Sequence, residues 1–269
     1  YGGEAYKSSA RTFSWTLNNL LTYEKSFGDH SINVLVGQEA YSMNYKYLDA
    51  AKRGLPFYGI TEIGAASEMN SMNSYTDNYR LMSYLSRAEY DYKDRYYVSA
   101  SFRTDGSSRF HPDNRWGKFW SIGGSWRISN EDFMSSTSEW LDNLKIKASY
   151  GAVGNDNLGT YYAYQGLYAT GLNNYNNAGV MISRLPNRNL KWETNLQTNV
   201  GVDFAMFNRL SGSFEWFSRK SKDLLFYMPM APSTGFSGID RNIGDVKNVG
   251  VEFSLNFAAI NTKDFKWTI

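Results

Sequence analysis

From Trp192 to Phe204 the chain reads WETNLQTNVGVDF, and alternate residues fall into two unlike sets. Trp192, Thr194, Leu196, Thr198, Val200, Val202 and Phe204 are apolar or carry a hydroxyl. Glu193, Asn195, Gln197, Asn199, Gly201 and Asp203 are polar apart from the glycine. A period of two belongs to an extended strand, whose side chains alternate between faces. An ordinary strand has ~5–6 residues, whereas this run suits the ~9–11 tilted residues with which a strand crosses a bilayer. Aromatics at both ends of the apolar set fit a lipid-facing strand, which places them at the two water interfaces. A long strand of a soluble sheet would share the period, so the decision rests on whether the rest of the chain repeats it.

The pattern does repeat. Phe13, Trp15, Leu17, Leu21 and Tyr23 alternate with Ser14, Thr16, Asn18 and Thr22, and after a turn at Lys25–Asp29 come Ile32, Val34 and Val36. Tyr84, Ser86, Ala88, Tyr90 and Tyr92 alternate with Arg87, Glu89 and Asp91, and a turn at Lys93-Asp94-Arg95 leads to Tyr96, Val98, Ala100 and Phe102 against Ser99, Ser101 and Arg103. Trp120, Ile122, Trp126 and Ile128 oppose Ser121, Ser125 and Arg127, and Leu144, Ile146, Ala148 and Tyr150 oppose Lys145, Lys147 and Ser149. A tight turn near Asn208-Arg209 precedes Leu210, Phe214 and Trp216 against Ser211, Ser213, Glu215 and Arg219. Val249, Val251, Phe253, Leu255 and Phe257 oppose Glu252, Ser254 and Asn256. A turn at 261–264 then leads into Phe265, Trp267 and Ile269.

About ten antiparallel strands result, the number expected from these runs. The stretches 44–78, 104–115, 151–189 and 228–247 carry no sustained period and read as long loops, and Ser129–Asn143 reads as a connector with room for a short helix. Long connections thus alternate with short ones, apart from that connector. Antiparallel strands put alternate connections at opposite ends. Short turns at one end and long loops at the other are characteristic of outer-membrane barrels.

Orientation follows from charge. Arg87, Glu89, Asp91, Arg103, Arg127, Lys147, Glu193, Asp203, Glu215, Arg219 and Glu252 fall on the polar sets and are expected to face the lumen. Trp120, Trp126, Leu196, Val200, Val202, Phe204, Val251, Phe253 and Leu255 fall on the apolar sets and are expected to face lipid. A lysine or arginine at mid-bilayer on the lipid face would cost ~2–4 kcal/mol.

Composition changes the picture in a few places. Among 269 residues there is no cysteine, so neither a disulfide scaffold nor a thiolate metal site is available. A net charge of +2 gives no reason to expect a nucleic-acid partner. The mean hydropathy of −0.51 and the lack of a long apolar run exclude a membrane-spanning helix, but not a barrel, whose strands are only half apolar. Aromatics at 17%, with 21 Tyr and 8 Trp, suit aromatic girdles. The stretch opens without Met or leader and closes inside an alternating run, and it is read as part of a longer protein, a partial transmembrane β-barrel over 1–269.

Several segments carry a resemblance. They are SYLSRAEYDYKDRYYVSASFRTDGSSRF, GKFWSIGGSWRISNEDFM, LDNLKIKASYGAVGN, PNRNLKWETNLQTNVGVDF and NIGDVKNVGVEFSL, in that order over Met82–Phe257. Together they resemble the SusC/RagA-like TonB-dependent outer-membrane transporters. The resemblance implies an all-β, antiparallel transmembrane barrel of the plugged type. It also implies import of large nutrients such as oligosaccharides or peptides across the outer membrane of a Gram-negative bacterium. The implied partners are outer-membrane lipid, a SusD-like surface lipoprotein, TonB acting through an N-terminal part, and the nutrient cargo. No plug, TonB box or terminal barrel strand is recognisable in this stretch, so energy coupling is an expectation for the longer protein. The other function class left open is a structural or adhesive surface β-protein without transport activity.

Candidate chemistry is sparse. His30 sits in a short turn and His111 in a long loop, at opposite strand ends, so a shared metal site is not expected. No nucleophile–base pair is visible, and no catalytic, cofactor-binding or metal-binding residue is assigned. DGSSRF reads as loop architecture, and Asn155-Asp156-Asn157 lacks the remaining calcium-loop spacing. Gly123-Gly124 continues as strand on both sides and cannot open a helix onto a phosphate. The candidate ligand or lid contacts are Tyr161, Tyr162, Tyr164, Tyr168 and Tyr175, whose rings suit stacking on a sugar, docking a lid protein, or packing of the loop on itself.

Overall fold

The computed structural model describes residues 2–269, apart from the side chain of Asn261. Fourteen strands occur among them: β1 (Glu4–Phe27), β2 (His30–Arg53), β3 (Glu68–Tyr92), β4 (Tyr96–Ser107), β5 (Trp116–Arg127), β6 (Leu141–Asn155), β7 (Leu167–Ala169), β8 (Met181–Arg184), β9 (Glu193–Met206), β10 (Leu210–Lys222), β11 (Leu225–Pro229), β12 (Gly238–Asn242), β13 (Asp245–Asn261) and β14 (Lys266–Thr268). Ten form one sheet in the order β1-β2-β3-β4-β5-β6-β9-β10-β13-β14, while β7-β8 and β11-β12 are separate two-stranded ribbons. The main sheet therefore runs up and down through neighbours in the chain, and each long connection either bridges adjacent strands or carries a ribbon.

The tight turns follow from local chemistry. Lys93 and Asp94 both have positive φ, as do Phe207 and Asn208, and Arg95 N–H and Arg209 N–H close the turns on Tyr92 O and Met206 O at 3.0 and 3.1 Å. Two consecutive left-handed residues give the hairpin turn whose twist matches the flanking strands.

The chain divides into two compact units, one of residues 1–17 with 39–82 and the other of 18–38 with 83–269. In the larger unit the register sorts residues into rows. Directly opposed residues share a face. One row runs Val98, Gly124, Ala148, Val200, Trp216, Val251, and the next runs Tyr96, Trp126, Ile146, Val202, Phe214, Phe253. On the other face one row runs Tyr97, Ser125, Lys147, Gly201, Glu215, Glu252. The apolar face is bare: Val251 is 62% and Phe253 65% exposed. A buried apolar cluster lies elsewhere, Phe110, Ala163 and Leu190 with Leu158, Trp192 and Leu225 packed against them.

Aromatic rings form two bands on the apolar face. At the short-turn end Phe27 stacks on His30 (centroids 5.2 Å apart), His30 meets Tyr92 (4.8 Å), Tyr92 stacks on Tyr96 and Tyr96 on Trp126 (6.3 Å each). Toward the long-loop end Tyr84 stacks on Trp116 and Trp120 meets Tyr150 edge-on.

The smaller unit departs from the sequence reading. The stretch 44–78, expected to be a loop, is largely strand: β2 continues to Arg53 and β3 begins at Glu68, leaving 54–67 as the connection. The period there is carried by tyrosine rather than by aliphatic residues: Tyr41, Met43, Tyr45 and Tyr47 alternate with Ser42, Asn44 and Lys46, and Tyr75 and Tyr79 with Thr76, Asn78 and Arg80. The pairing is carried by side chains. Tyr6 and Tyr47 hydroxyls are 2.7 Å apart, Tyr45 and Tyr47 both lie against Tyr75, and Asn44 Nδ2 donates to Asn78 Oδ1 at 2.9 Å. A small core of Ala5, Leu55 and Ala66, with Ile60 and Ile63 against it, closes the connection.

Two further differences concern the loops: DGS belongs to β4, and the 228–247 stretch carries part of the β11–β12 ribbon. Ser129–Asn143 holds the 3₁₀ turn Asp132–Thr137, in keeping with the short helix it had room for. Trp192 lies just before β9 and turns away from the apolar row, with its ring 5.5 Å from Phe110 and 5.3 Å from Phe119. The buried loop cluster offers it a drier site than the open face does, and Arg115 O accepts its indole N–H at 2.8 Å.

Candidate functional site: the polar face and the loop assembly

The middle of the polar face is a trough of about 600 Å³ lined by residues that include Asn33, Glu89, Tyr97, Ser125, Lys147 and Glu215. Its centre is an ion network. Lys147 Nζ lies 2.9 Å from Asp203 Oδ1 and 3.5 Å from Glu215 Oε2, tying β6, β9 and β10 together. Gly201 is paired directly with Lys147, and a β-carbon there would come within 3.0 Å of Lys147 Cε. The glycine thus leaves the lane along which the lysine reaches its carboxylates. Gly123 likewise keeps the trough floor free of a side chain, a use for the Gly-Gly pair that needs no phosphate.

The other charged residues of this face are distributed around the trough. Arg87 pairs with Glu89, and Asp91 Oδ1 accepts the Asp94 N–H at 3.2 Å. Arg103 donates to Asp105 Oδ1 at 2.6 Å and to Ser83 Oγ at 2.9 Å. Arg127 reaches Asp94 Oδ2 at 2.5 Å and lies 5.6 Å from the Tyr97 ring, over which Lys145 also sits at 4.5 Å. Arg219 lies over Phe217, and Glu252 is directly opposite Glu215. Glu193 is buried beneath the loops, where its Oε2 accepts the Leu225 N–H at 3.3 Å. Tyr97, the cation-binding ring at the centre of this group, escaped the sequence reading, because a tyrosine on a strand has no local signature of such a role.

Beside the short turns, Arg95 bonds Glu131 Oε2 at 3.1 Å and Asp132 Oδ1 at 2.6 Å. Hydrogen bonding from Arg95 holds the Asp132 carboxyl below its usual range, and hydrogen bonds from Tyr96 and Trp126 do the same for Glu131. In the smaller unit the hydrogen bond to Tyr6 pushes the Tyr47 phenol up to about 12, and burial raises the Asp77 carboxyl.

The long connections of the larger unit form a single packed assembly. Phe110 and Leu190 are fully buried, and Ser107 Oγ donates to Asp156 Oδ2 at 2.6 Å. Arg109 donates to Asp156 O at 2.9 Å and covers the Tyr161 ring at 5.1 Å. Asn242 Nδ2 donates to both Lys191 O and Asp223 O at 2.9 Å, and Arg184 pairs with the buried Asp240. The five tyrosines divide. Tyr161 and Tyr162 meet edge-on and Tyr164 lies against His111, whereas Tyr168 is 65% and Tyr175 97% exposed. His111 Nδ1 is 3.2 Å from Asp113 Oδ2, and His30 belongs to the aromatic band. Among the described residues no group of three or more His, Asp or Glu side chains is placed to hold a metal ion.

These features match known proteins along the whole chain. A family model described as TonB dependent receptor-like, beta-barrel, matches residues 1–269. TonB-dependent receptor P3 of Formosa agariphila is 35% identical, with 99% of this chain and 27% of that protein covered. TonB-dependent receptor SusC of Bacteroides thetaiotaomicron is 32% identical, covering 96% and 26% respectively. Among solved structures, the RagAB peptide transporter superposes with a TM-score of 0.92 at 29% identity, over 98% of this chain and 30% of that one. The fold class is therefore an antiparallel β-barrel, of which this chain is a part. The chain belongs to the TonB-dependent receptor-like β-barrel family, among its SusC/RagA-like members. It spans 27% and 26% of the length of the two curated relatives.

Proposed function

We propose that the chain forms part of the barrel wall of an outer-membrane, TonB-dependent importer in a Gram-negative bacterium. The apolar face, with Trp120, Trp126, Leu196, Val200, Val202, Phe204, Val251, Phe253 and Leu255, faces lipid. The polar face, with the Lys147 network, faces the water-filled interior. The carrying observation is the bare apolar face bounded by two aromatic bands. Soluble monomers seldom leave more than a few hundred Å² of contiguous apolar surface uncovered, and here whole rows are exposed. Trp116 and Trp126 are ten residues apart on β5. At ~3.3 Å per residue and a tilt of ~40°, that separation is ~25 Å along the membrane normal, the height of a barrel's apolar band.

The cargo in this reading is a large nutrient, an oligosaccharide or a peptide. The likeness to the RagAB peptide transporter suggests the peptide, and the exposed Tyr168 and Tyr175 on the loop assembly suggest the glycan. A SusD-like surface lipoprotein would lid the long-loop end, and TonB would supply energy through the rest of the protein. Spin labels at Val200 and Val251 are expected to be quenched by a lipid-soluble reagent, and labels at Asn199 and Glu252 by a water-soluble one. The reverse pattern would turn the wall inside out and end this reading.

A further inference from the structure

Over the central stretches of its strands, the two faces of the smaller unit are sorted by charge. On the face that carries Phe13, Trp15 and Leu17 in β1, alternation places Ser42, Asn44, Lys46 and Leu48 of β2 and Ser74, Thr76, Asn78 and Arg80 of β3. The Asn44–Asn78 bond joins β2 and β3 on this face. From Ser9 to Leu17, Ala40 to Leu48 and Ser74 to Met82, the face holds the cations Arg11, Lys46 and Arg80 and no carboxylate. The opposite face of the same strands holds Glu39, Asp49 and Asp77 and no cation from Glu39 to Asp49 or from Tyr75 to Leu81. Arg11 and Lys46, with Ser9, Ser74 and Thr76, line a trough of about 510 Å³. Neither Arg11 nor Lys46 has a carboxylate partner among the described residues, whereas Lys7 and Arg53 in the same unit pair with Glu62 and Glu68.

We propose that Arg11 and Lys46 form a binding site for a phosphorylated lipid headgroup in the outer leaflet. The inference rests on the lipid-facing reading of the apolar face given above. Phe13 and Trp15 are large, exposed aromatics at the end of the apolar positions of β1, the level at which such rings meet headgroups. Arg11 is the next residue beyond them on that face, and a guanidinium and an ammonium across one strand pair suit a phosphate monoester. The hydroxyls of Ser9, Ser74 and Thr76 supply further donors to its oxygens. No carboxylate shares these stretches of the face, so the anion is unopposed there. A lipid held here would seal the sheet at the depth where hydrocarbon gives way to polar surface.

The test uses the full-length protein, purified in detergent with added lipid A in its bisphosphorylated or dephosphorylated form. Retained lipid is counted by native mass spectrometry. The bisphosphorylated form is expected to be retained in preference. Each cation near an anionic lipid surface is worth about a fivefold change in affinity, so Arg11→Ser with Lys46→Ser should weaken retention about thirtyfold. Arg11→Lys should keep most of it. Should the double variant fail to fold, Lys46→Gln alone should still show the single-charge loss. Equal retention of the two lipid forms, or retention unchanged by the substitutions, would overturn the site. Displacement of the lipid by an equal concentration of inorganic phosphate would make it a free-anion site and overturn the lipid assignment. Spin labelling at Val200 separates the two levels. A label quenched from lipid alongside indifferent retention sinks only this site, whereas a label that lipid does not reach sinks the barrel-wall reading with it.

Discussion

The two units use the same alternation of side chains for different ends. In the larger unit the alternation separates apolar from polar, with Val98, Val200, Trp216 and Val251 in one row and Tyr97, Lys147, Glu215 and Glu252 in the next. In the smaller unit it separates cation from anion, with Arg11 and Lys46 on one face and Asp49 and Asp77 on the other. The first kind of sorting suits a sheet with oil on one side. The second suits one beyond the hydrocarbon, with anionic headgroups on one side and water on the other. A strand thus tells its environment through what alternates, not merely through the presence of a period of two.

The largest expected effect lies in neither sheet face but in the loop assembly. Phe110→Ala removes a fully buried ring and should cost ~3–5 kcal/mol locally, opening residues 156–192 to proteolysis while the strands stay protected. Unchanged cleavage of that segment would show that the loops do not depend on a shared core. Next comes the apolar face of the larger unit. Val200→Arg should lose ~2–4 kcal/mol of folding stability in lipid vesicles, and Asn199→Arg, one residue away, far less. Equal yields from the two variants would erase the distinction between the faces. On the polar face, Lys147→Ala leaves Asp203 and Glu215 facing each other without a cation. The three groups are about a third exposed, so the loss should be only ~1 kcal/mol and should shrink as salt rises.

The same substitution type should be almost silent in the smaller unit. Leu48→Lys adds a cation to a face that already holds Arg11 and Lys46, and should change stability by no more than ~0.5 kcal/mol. A loss as large as that of Val200→Arg would mean that lipid reaches this level. The smallest effect expected is one of pH. Asp132 and Glu131 are held below their usual range, so their contribution is present above the ordinary carboxylate pKa and is lost as pH falls through the lowered values. Hydrogen exchange in Asp132–Thr137 should quicken over that fall, and Arg95→Ala should flatten the response.

Much of the larger unit was legible in the sequence because hydrophobicity itself alternates there. The runs around Val200, Trp216 and Val251 announce both strand and face, and the turns are marked by Asp94 and Asn208, which tolerate positive φ. What stayed hidden was alternation without aliphatic residues. The strands through Tyr45 and Tyr75 look like a loop to a reading that weighs aliphatic runs, and the period of two in Tyr41, Met43, Tyr45 and Tyr47 was the signal available to find them. Trp192 misled for a different reason: its place in the period is right, but the strand starts one residue later and a buried site draws the ring aside. The candidate tyrosines were legible as a group in sequence and not in space, since loop packing separates Tyr161 from Tyr175.

The shared core beneath the loops has a consequence for how such a protein can be altered. Phe110 comes from the β4–β5 connection, Ala163 and Leu190 from the β6–β9 connection, and Leu225 and the Asn242 clasp from the one between β10 and β13. Grafting one of these connections from a relative would set a foreign side chain into a pocket shaped by the other two. A chimera should therefore tolerate exchange of all three together better than exchange of any one. Diversification at this rim would then proceed by replacing a whole cartridge, with single-loop swaps surviving only where the three buried positions already agree.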